Sequence, residues 1–239
     1  MLIELPNAFG DAATNMAIDA ALLATLPAGV AVFRHYGWIE PAITFGYTQK
    51  YAEIQSVIAD SSAILCRRIT GGGMVDHRND WTYALILQND IPAAHTPANQ
   101  LYATLHQAIR GALSKQLIQS QLAPCPRKCG DQPTSPSRTA SQCFTTPAAS
   151  DVLLPSGQKI AGAAMKRSRT GLLIQGSIDK TTLPDSFDFE TFRAALVAEL
   201  AQILNIPLTP VEDLSTLFNS ERIQKERARY GSPEWLQKR

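Results

Sequence analysis

The amino-acid sequence predicts an α+β fold, and three observations lead to that class. Hydrophobic residues make up 45% of the 239 positions, an ordinary share for a folded globular chain. Several segments have the apolar spacing of amphipathic helices. Others are rich in β-branched and aromatic residues and are typical of strands. No internal repeat and no linker-like composition divides the sequence, so we expect a single domain over residues 1–239.

The first half of the chain is predicted to hold one helix and four strands. Residues 15–26 (NMAIDAALLATL) are rich in helix formers, and a proline and a glycine close the segment. The strand candidates are residues 30–36, 41–47, 62–69 and 80–87. A turn at GWIEP separates the first two, which are therefore predicted to pair as a hairpin. The last two flank a loop with three consecutive glycines.

The second half begins with a long helical pattern over residues 101–118. In residues 124–150 the composition changes to Pro, Ser, Thr and three of the four cysteines, which indicates a long irregular loop of the kind that often carries function. Strand character returns in residues 151–165 and 170–179. Residues 187–204 are predicted to form an amphipathic helix ahead of a charged tail.

Charge and composition argue against several classes of protein. Twenty-two Lys and Arg residues balance 21 Asp and Glu residues, so the formal charge of +1 gives no support for a nucleic-acid partner. No apolar run is long enough to span a membrane, and the amino terminus lacks the features of a signal peptide. We therefore expect a cytoplasmic protein without a membrane partner. Four cysteines in a chain of this size do not suggest a disulfide framework.

The segment RRITGGGMVDH, residues 67–77, carries the strongest chemical signal. It is not a P-loop, because no Gly-Lys-Ser/Thr follows the glycines, and it lacks the G-x-G-x-x-G spacing of dinucleotide-binding loops. Glycine N–H groups flanked by Arg67, Arg68 and His77 suit a carboxylate, a thioester or a phosphate. The local pattern also allows a tight hairpin in which the glycines only supply positive φ angles.

Four segments together resemble the biotin/lipoate A/B protein ligase family, in its lipoate-protein ligase and octanoyltransferase branch. They are NMAIDAALL, FRHYGWIEPAITFGYTQ, RRITGGGMVDH and KIAGAAMKRSRTGLLIQGSI, in the family's order. The resemblance implies a central mixed, largely antiparallel sheet flanked by helices, related to class II synthetases and biotin ligases. It implies an enzyme that attaches an octanoyl or lipoyl group to one lysine of a lipoyl domain.

The resemblance also assigns roles to residues by their positions. Lys159 would point at the acyl carbonyl or a phosphate, where a compact ammonium stabilises developing negative charge. Without the motif, a solvated turn lysine is an equally good interpretation of Lys159. The implied substrate-binding residues are Arg67, Arg68, Gly71, Gly72, Gly73, His77 and Gly162, and no metal ligand is implied. The implied partners are lipoyl domains (the glycine cleavage H protein and 2-oxoacid dehydrogenase E2), acyl carrier protein, and lipoate or octanoate.

The family divides into two chemistries, and the sequence favours one by a small margin. Cys143, followed by Phe144, stands where similar octanoyltransferases carry a cysteine that takes octanoate from acyl carrier protein as a thioester, a route that requires no cofactor. The matched length also leaves little room for the accessory domain of bacterial lipoate ligases. Against this, Gly71–Gly73 resembles the triplet of the ligases, which need ATP and Mg to form lipoyl-AMP. Asp76 and the Thr-Thr after Cys-Phe depart from the usual pattern.

Other interpretations of the same residues stay open. Cys125 and Cys129 could join Cys143 in a metal site, but the spacing offers no second matched pair, so incidental loop thiols are the simpler interpretation. We expect His35, His95 and His106 to have ordinary packing or surface roles. Cys66 is predicted to be a buried strand residue. A noncatalytic binder of lipoyl domains or acyl carriers is a further hypothesis, and a biotin ligase fits the Lys-x-x-Gly segment less well.

Overall fold

The structure is a computed structural model that describes residues 1–58, 62–124, 147–211 and 213–239. In these ranges the strands are β1 (Leu2–Glu4), β2 (Ala8–Gly10), β3 (Ala31–Trp38), β4 (Ala42–Phe45), β5 (Ile64–Arg67), β6 (Val75–Asp76), β7 (Asp80–Gln88), β8 (Gln121–Leu122), β9 (Val152–Leu153), β10 (Lys159–Arg167) and β11 (Gly171–Asp179). The helices are α1 (Ala12–Thr25), α2 (Tyr51–Val57), α3 (Ala98–Ser114), α4 (Phe189–Ile203), α5 (Ser220–Tyr230) and α6 (Pro233–Leu236).

The larger of two sheets is mixed and mostly antiparallel. Its strand order is β1-β3-β7-β11-β10-β9-β8, with β2 also paired to β3. Strands β1 and β2 run parallel to β3, and the remaining neighbours are antiparallel. The long central strands β7 and β11 are almost entirely buried, since helices cover both faces of the sheet. The predicted α+β fold with a mixed, largely antiparallel sheet is confirmed.

The smaller sheet has the order β5-β4-β6. Its strand β4 pairs with β5 and β6 and not with β3, so the predicted hairpin of residues 30–36 and 41–47 is wrong. The reason is that both edges of β3 are already occupied, by β1 and β2 on one side and β7 on the other. The chain leaves the large sheet after Trp38 and starts the small one at Ala42.

Helix boundaries differ from the prediction where local chemistry overrides the apolar pattern. Helix α1 begins three residues before the predicted start, because the Asp11 side chain accepts a hydrogen bond from the Thr14 N–H (2.6 Å) and caps it. Helix α3 ends at Ser114, and Leu117, three residues later, adopts a positive φ of 63° that no right-handed helix accommodates. In the described part of the chain, no helix is both long and apolar enough to cross a membrane.

The two faces of the large sheet have different neighbours. Successive strand residues point to opposite faces, so Trp81, Tyr83, Leu85 and Leu87 of β7 join the core under α3 and α4. The alternate residues Ala84 and Ile86 pack toward α1. Nearer the start of β7, that second face carries polar residues and is covered by the small sheet, and this is where the candidate site lies.

Candidate active site

A pocket that is partly open to solvent lies between the two sheets, and we call it the inter-sheet pocket. The large sheet contributes Tyr36, Trp38, Thr82, Gly162, Ala163, Ala164, Gln175, Gly176 and Ser177, and α1 contributes Met16. The small sheet and the glycine loop contribute Thr44, Arg68, Gly72, Gly73, Val75 and His77. The exposed lining is mostly apolar, with a few convergent polar groups, as is typical of a small-molecule site.

The glycine loop reaches the pocket because two backbone segments approach closely. Gly72 has a φ of +84°, a conformation that glycine adopts without strain. A Cβ on Gly46, which follows β4, would lie 2.1 Å from the Gly72 carbonyl oxygen, so only glycine fits there. Gly72 and Gly73 line the pocket. The carbonyls of Gly71 and Gly73 accept hydrogen bonds from Arg68 Nη2 (2.9 and 2.8 Å), so this arginine fixes the curvature of the loop.

A buried hydrogen-bond chain runs along the floor of the pocket. Arg68 Nη1 donates to Thr44 Oγ1 (2.7 Å), which lies 2.7 Å from His77 Nε2. His77 Nδ1 lies 2.7 Å from Asp80 Oδ2. The Thr44 hydroxyl can donate or accept, so the donor in its contact with Nε2 is set by the tautomer of the His77 ring. The arrangement fixes the orientation of the His77 ring, against which the Trp38 ring stacks at 4.0 Å.

Asp80 is the acceptor at the end of this chain. In addition to His77, its Oδ2 accepts from Thr82 Oγ1 (2.9 Å) and from Ser177 Oγ. Thr82 in turn accepts from Trp38 Nε1 (2.9 Å). Three donors from β6–β7, β7 and β11 therefore converge on one carboxylate oxygen and hold the small sheet against the large one.

A second buried chain links the pocket to α1. Thr70 Oγ1 donates to Gln175 Oε1 (2.7 Å), and Gln175 Nε2 donates to Asp19 Oδ2 (2.7 Å). Asp19 forms an ion pair with Arg34 at 2.6 Å, with both side chains almost completely buried. Buried charges of this kind are tolerated only when they are paired and hydrogen-bonded. The network thus fixes the amide of Gln175 at the pocket wall.

Lys159 lies at the edge of the pocket rather than on a solvated turn. It is the first residue of β10 and is 4% exposed. Its Nζ lies 2.7 Å from Asp151 Oδ2. A Cβ on the pocket residue Gly162 would come within 2.7 Å of Lys159 Nζ, so the ammonium occupies the space that a side chain at position 162 would fill. The ammonium therefore lies next to a residue of the pocket wall.

The two neighbouring arginines point in different directions. Arg68 lies in the pocket, whereas Arg67 does not line it. The fully buried Arg67 guanidinium donates to five backbone carbonyls, those of Tyr47, Gln49, Trp235, Leu236 and Arg239. The indole N–H of Trp235 donates back to the Arg67 carbonyl (2.9 Å). Arg67 thus fastens residues 235–239 to the loop after β4, and its substrate contact stays a prediction without support from this geometry.

The structure brings together Arg68, Gly72, Gly73, His77 and Gly162 from the predicted set, with Lys159 beside them. Gly71 supports the loop without lining the pocket. Four residues that the sequence analysis discussed lie outside the described residues: Cys125, Cys129, Cys143 and Phe144. A metal site formed by these cysteines therefore stays a hypothesis. Asp76 is exposed and paired with Arg78, so this departure from the family pattern faces away from the pocket.

Sequence reasoning missed the polar residues that support the site. They are Asp19, Arg34, Thr44, Thr70, Asp80, Asp151, Gln175 and Ser177. A usable signal was present, since several of them interrupt strands that are otherwise apolar, as in LLIQGSI and DWTYALIL. A polar residue in a buried strand has a hydrogen-bond partner, and that requirement would have marked the pocket face.

The remaining titratable candidates have other environments. Cys66 is buried, as predicted, and burial raises the pKa of its thiol to about 12, which makes it an inert core residue. Burial lowers the pKa of His35, which stacks on Trp81 at 4.3 Å. Burial also lowers the pKa of His106, whose Nδ1 donates to the Ser150 carbonyl (2.5 Å).

The comparisons identify the family to which the chain belongs. The model of the family described as lipoyl protein ligase A/B catalytic domain matches residues 11–213. The chain belongs to this family, which confirms the family predicted from the four sequence segments.

Two curated relatives are octanoyltransferases. The chain is 34% identical over 179 residues to octanoyltransferase LipM of Oceanobacillus iheyensis, a match that covers 73% of this chain and 62% of the relative. It is 27% identical over 272 aligned positions to octanoyltransferase LipM of Moorella thermoacetica, covering 98% of this chain and 97% of the relative. The chain thus spans less than two thirds of the first relative and nearly all of the second.

Two solved structures share the fold. Lipoate-protein ligase A bound with ATP superposes with a TM-score of 0.73 at 17% identity, over 98% of this chain and 97% of that one. A bi-partite lipoate protein ligase from Thermoplasma acidophilum, described with its E2 lipoyl domain, superposes with a TM-score of 0.68 at 16% identity, over 98% and 95% of the two chains. At these identities the likeness shows the fold alone.

Proposed function

We propose that this protein is an octanoyltransferase of protein lipoylation, which moves an octanoyl group from acyl carrier protein to a lysine of a lipoyl domain. The observation that carries the proposal is the inter-sheet pocket, apolar in most of its lining and flanked at Gly162 by the buried ammonium of Lys159. An acyl chain suits the apolar walls, and an ammonium suits the carbonyl oxygen of a thioester. Octanoyltransferases among the curated relatives support the same activity.

The proposed reaction has two acyl-transfer steps. The thiolate of Cys143 attacks the octanoyl thioester of the carrier, forms a new thioester and releases the carrier as a thiolate, which takes a proton from solvent. The unprotonated lysine amine of the lipoyl domain then attacks this thioester, forms the amide and releases the Cys143 thiolate, while the amine loses its extra proton to solvent or a nearby base. In both steps Lys159 stabilises the negative charge that develops on the carbonyl oxygen. No cofactor enters this route.

The described residues on either side of residues 125–146 support the proposed role of Cys143. The N–H of Ala123 donates to the Asp151 carbonyl (2.7 Å), and the N–H of Ala148 donates to Asp151 Oδ2 (2.6 Å). Asp151 itself is paired with Lys159. The described residues that precede and follow the Cys143 segment are therefore both hydrogen-bonded to Asp151, which is paired with the proposed catalytic lysine.

A second candidate is an ATP-dependent lipoate-protein ligase, favoured by the glycine loop. Gly72 at positive φ and Arg68 beneath the loop form a backbone turn suited to an anion such as an adenylate phosphate. On that route the enzyme would need ATP and Mg, and lipoate would be the acyl source. Lipoyl domains are the acceptor in both candidates, and the cytoplasm stays the predicted compartment.

Mass spectrometry of the intact protein after incubation with octanoyl-acyl carrier protein, without ATP, tests the proposal. Wild type should gain one octanoyl group as a thioester, and Cys143→Ala should not. Addition of a lipoyl domain should move the octanoyl group to that domain. Full activity of Cys143→Ala would overturn the cysteine route. Acyl transfer that occurs only with lipoate, ATP and Mg would establish the ligase instead, and tight binding without any transfer would indicate a noncatalytic binder.

A further inference from the structure

A buried carboxylate that was not among the site residues predicted from the sequence holds the proposed catalytic lysine. Asp151 is 3% exposed, and its Oδ2 lies 2.7 Å from Lys159 Nζ. The same oxygen accepts the Ala148 N–H at 2.6 Å. Removing one partner of a buried ion pair is far more disruptive than the net stabilisation of the pair suggests, because the other charge is left without compensation. The position of the ammonium is therefore tied to that of this carboxylate.

The backbone of Asp151 is fixed as firmly as its side chain. Its carbonyl accepts from the Ala123 N–H (2.7 Å), and its N–H donates to the Ala148 carbonyl (3.1 Å). The neighbouring Ser150 N–H donates to the Ala123 carbonyl (2.9 Å). These bonds join the end of β8 to the start of β9, so the carboxylate cannot shift without breaking several of them.

Gly162 sets the distance between this ion pair and the pocket. A Cβ at Gly162 would lie 2.7 Å from both Cε and Nζ of Lys159 and 3.0 Å from Asp151 Oδ1. A Cβ atom is essentially never found within 3.0 Å of such atoms, so a side chain at position 162 would displace the end of the Lys159 side chain. Since Gly162 itself lines the pocket, the ammonium and the carboxylate both lie next to a residue of the pocket wall.

We propose that Asp151 is a positioning residue, which fixes the ammonium of Lys159 at the edge of the inter-sheet pocket for acyl transfer. The proposal rests on the proposed function, because it assumes that Lys159 faces the acyl carbonyl. A donor stabilises a developing oxyanion only if it is already in place when the charge forms. An ammonium on a flexible four-carbon side chain has no such preorganisation by itself, and the Asp151 carboxylate supplies it.

The first test is Asp151→Asn, which keeps the shape of the side chain and removes its charge. We expect kcat for transfer to a lipoyl domain to fall by about 100-fold, with KM for the octanoyl donor changed by less than about threefold, since the pocket walls are untouched. Asp185→Asn is the matched control, because it makes the same chemical change on an exposed loop and should leave kcat unchanged. Wild-type kcat in Asp151→Asn would overturn the proposal.

A double-mutant cycle with Lys159→Met separates positioning from a general structural effect. If Asp151 acts through Lys159, then Asp151→Asn should cost no further activity in a Lys159→Met background. The double variant should also be more stable than Lys159→Met alone, because that single change leaves a buried carboxylate unpaired. An equal activity loss from Asp151→Asn in both backgrounds would overturn the proposal.

Gly162→Ala provides an independent variant if Asp151→Asn does not fold. It leaves both charged groups in the chain and displaces the ammonium by steric contact, so kcat should fall while Lys159 and Asp151 are both present. Wild-type kcat in a folded Gly162→Ala protein would contradict the proposed geometry. All variants are assayed with octanoyl-acyl carrier protein and, separately, with lipoate, ATP and Mg. If the wild type is active only with lipoate, ATP and Mg, octanoyl-acyl carrier protein is rejected as the donor, and the double-mutant cycle of Asp151 and Lys159 is measured with lipoate and ATP instead. Full activity of Lys159→Met would reject the assumption that Lys159 faces the acyl carbonyl.

Discussion

The two faces of strand β7 use the same backbone for different purposes. On one face Trp81, Tyr83, Leu85 and Leu87 enter an apolar core with α3 and α4. On the other face, Asp80 and Thr82 belong to the hydrogen-bond chain beneath the inter-sheet pocket. All nine residues of β7 are buried, so exposure alone does not distinguish the faces. The difference is that one face is stabilised by area removed from water, whereas the start of the other, at Asp80 and Thr82, is stabilised by polar groups that must each find a partner.

The comparison teaches that a buried polar face can be both rigid and chemically useful. Its donors and acceptors are directional, so a lost partner rotates or releases a neighbour that faces the ligand. The apolar face is non-directional and affects the ligand only through the stability of the whole sheet. Substitutions on the two faces should therefore separate stability from substrate affinity.

Leu85→Ala should produce the largest loss of stability. Leu85 is 1% exposed in the apolar core, and truncation of such a residue typically costs about 2–5 kcal/mol because a cavity remains. KM for the acyl donor, measured on the folded fraction below the unfolding transition, should stay at the wild-type value. Urea unfolding and steady-state kinetics on the same preparation provide the check. A raised KM at this position would show that the two faces are coupled.

The neighbouring arginines extend the comparison to the small sheet. Arg67→Lys should cost about 1.5–3 kcal/mol, because a lysine with three donors cannot serve five carbonyls and leaves some of them buried without a partner. Its KM should match the wild type. Arg68→Lys should raise KM, since the glycine loop would lose its bidentate support. Should Arg67→Lys raise KM with unchanged stability, the substrate contact predicted from the sequence would be correct after all.

Asp80→Asn tests the polar face directly. An asparagine cannot accept from His77, Thr82 and Ser177 with the strength of a carboxylate, so we expect a loss of about 1–3 kcal/mol. We also expect KM to rise about tenfold, because the His77 ring loses the partner that orients it. Comparing this variant with Leu85→Ala at matched stability removes the contribution of unfolding. A KM equal to that of Leu85→Ala would show that the polar chain serves stability alone.

Much of the fold followed from local patterns, and the exceptions have physical causes. The helix and strand segments were found because apolar periodicity and turn residues agree there. The hairpin of residues 30–36 and 41–47 was wrong because strand pairing depends on which sheet edges are already occupied, and that information comes from distant β1 and β7. Local sequence alone cannot supply it.

The candidate site was predictable only where a motif marked it. The glycine loop, Arg68, His77 and Lys159 stand out because their residue types are unusual for their surroundings. Asp151 does not, since an aspartate before a strand is an ordinary turn residue until the fold brings Lys159 and Ala148 to it. The direction of Arg67 was also hidden, because the carbonyls it binds lie 168–172 positions further along the chain or in the loop after β4.

The smallest expected effect lies on the apolar face, at a titratable residue. Burial lowers the pKa of His106, so as pH falls the unfolded chain takes up a proton near its ordinary pKa of about 6.5 before the folded protein does. Its contribution to stability is therefore complete above about pH 6.5 and is lost as pH falls from there toward the folded-state pKa. One proton corresponds to at most about 1.4 kcal/mol per pH unit.

His106→Asn should make the dependence of stability on pH shallower below about pH 6.5, since the amide does not titrate and can still donate to the Ser150 carbonyl. Urea unfolding of both proteins at pH 7.5 and 5.5 measures the difference. Between pH 7.5 and pH 5.5 the variant should lose less stability than the wild type, and KM at pH 7.5 should be unchanged. An identical pH dependence in the two proteins would mean that His106 protonates equally in the folded and unfolded chains, and that its burial has no electrostatic cost on this face.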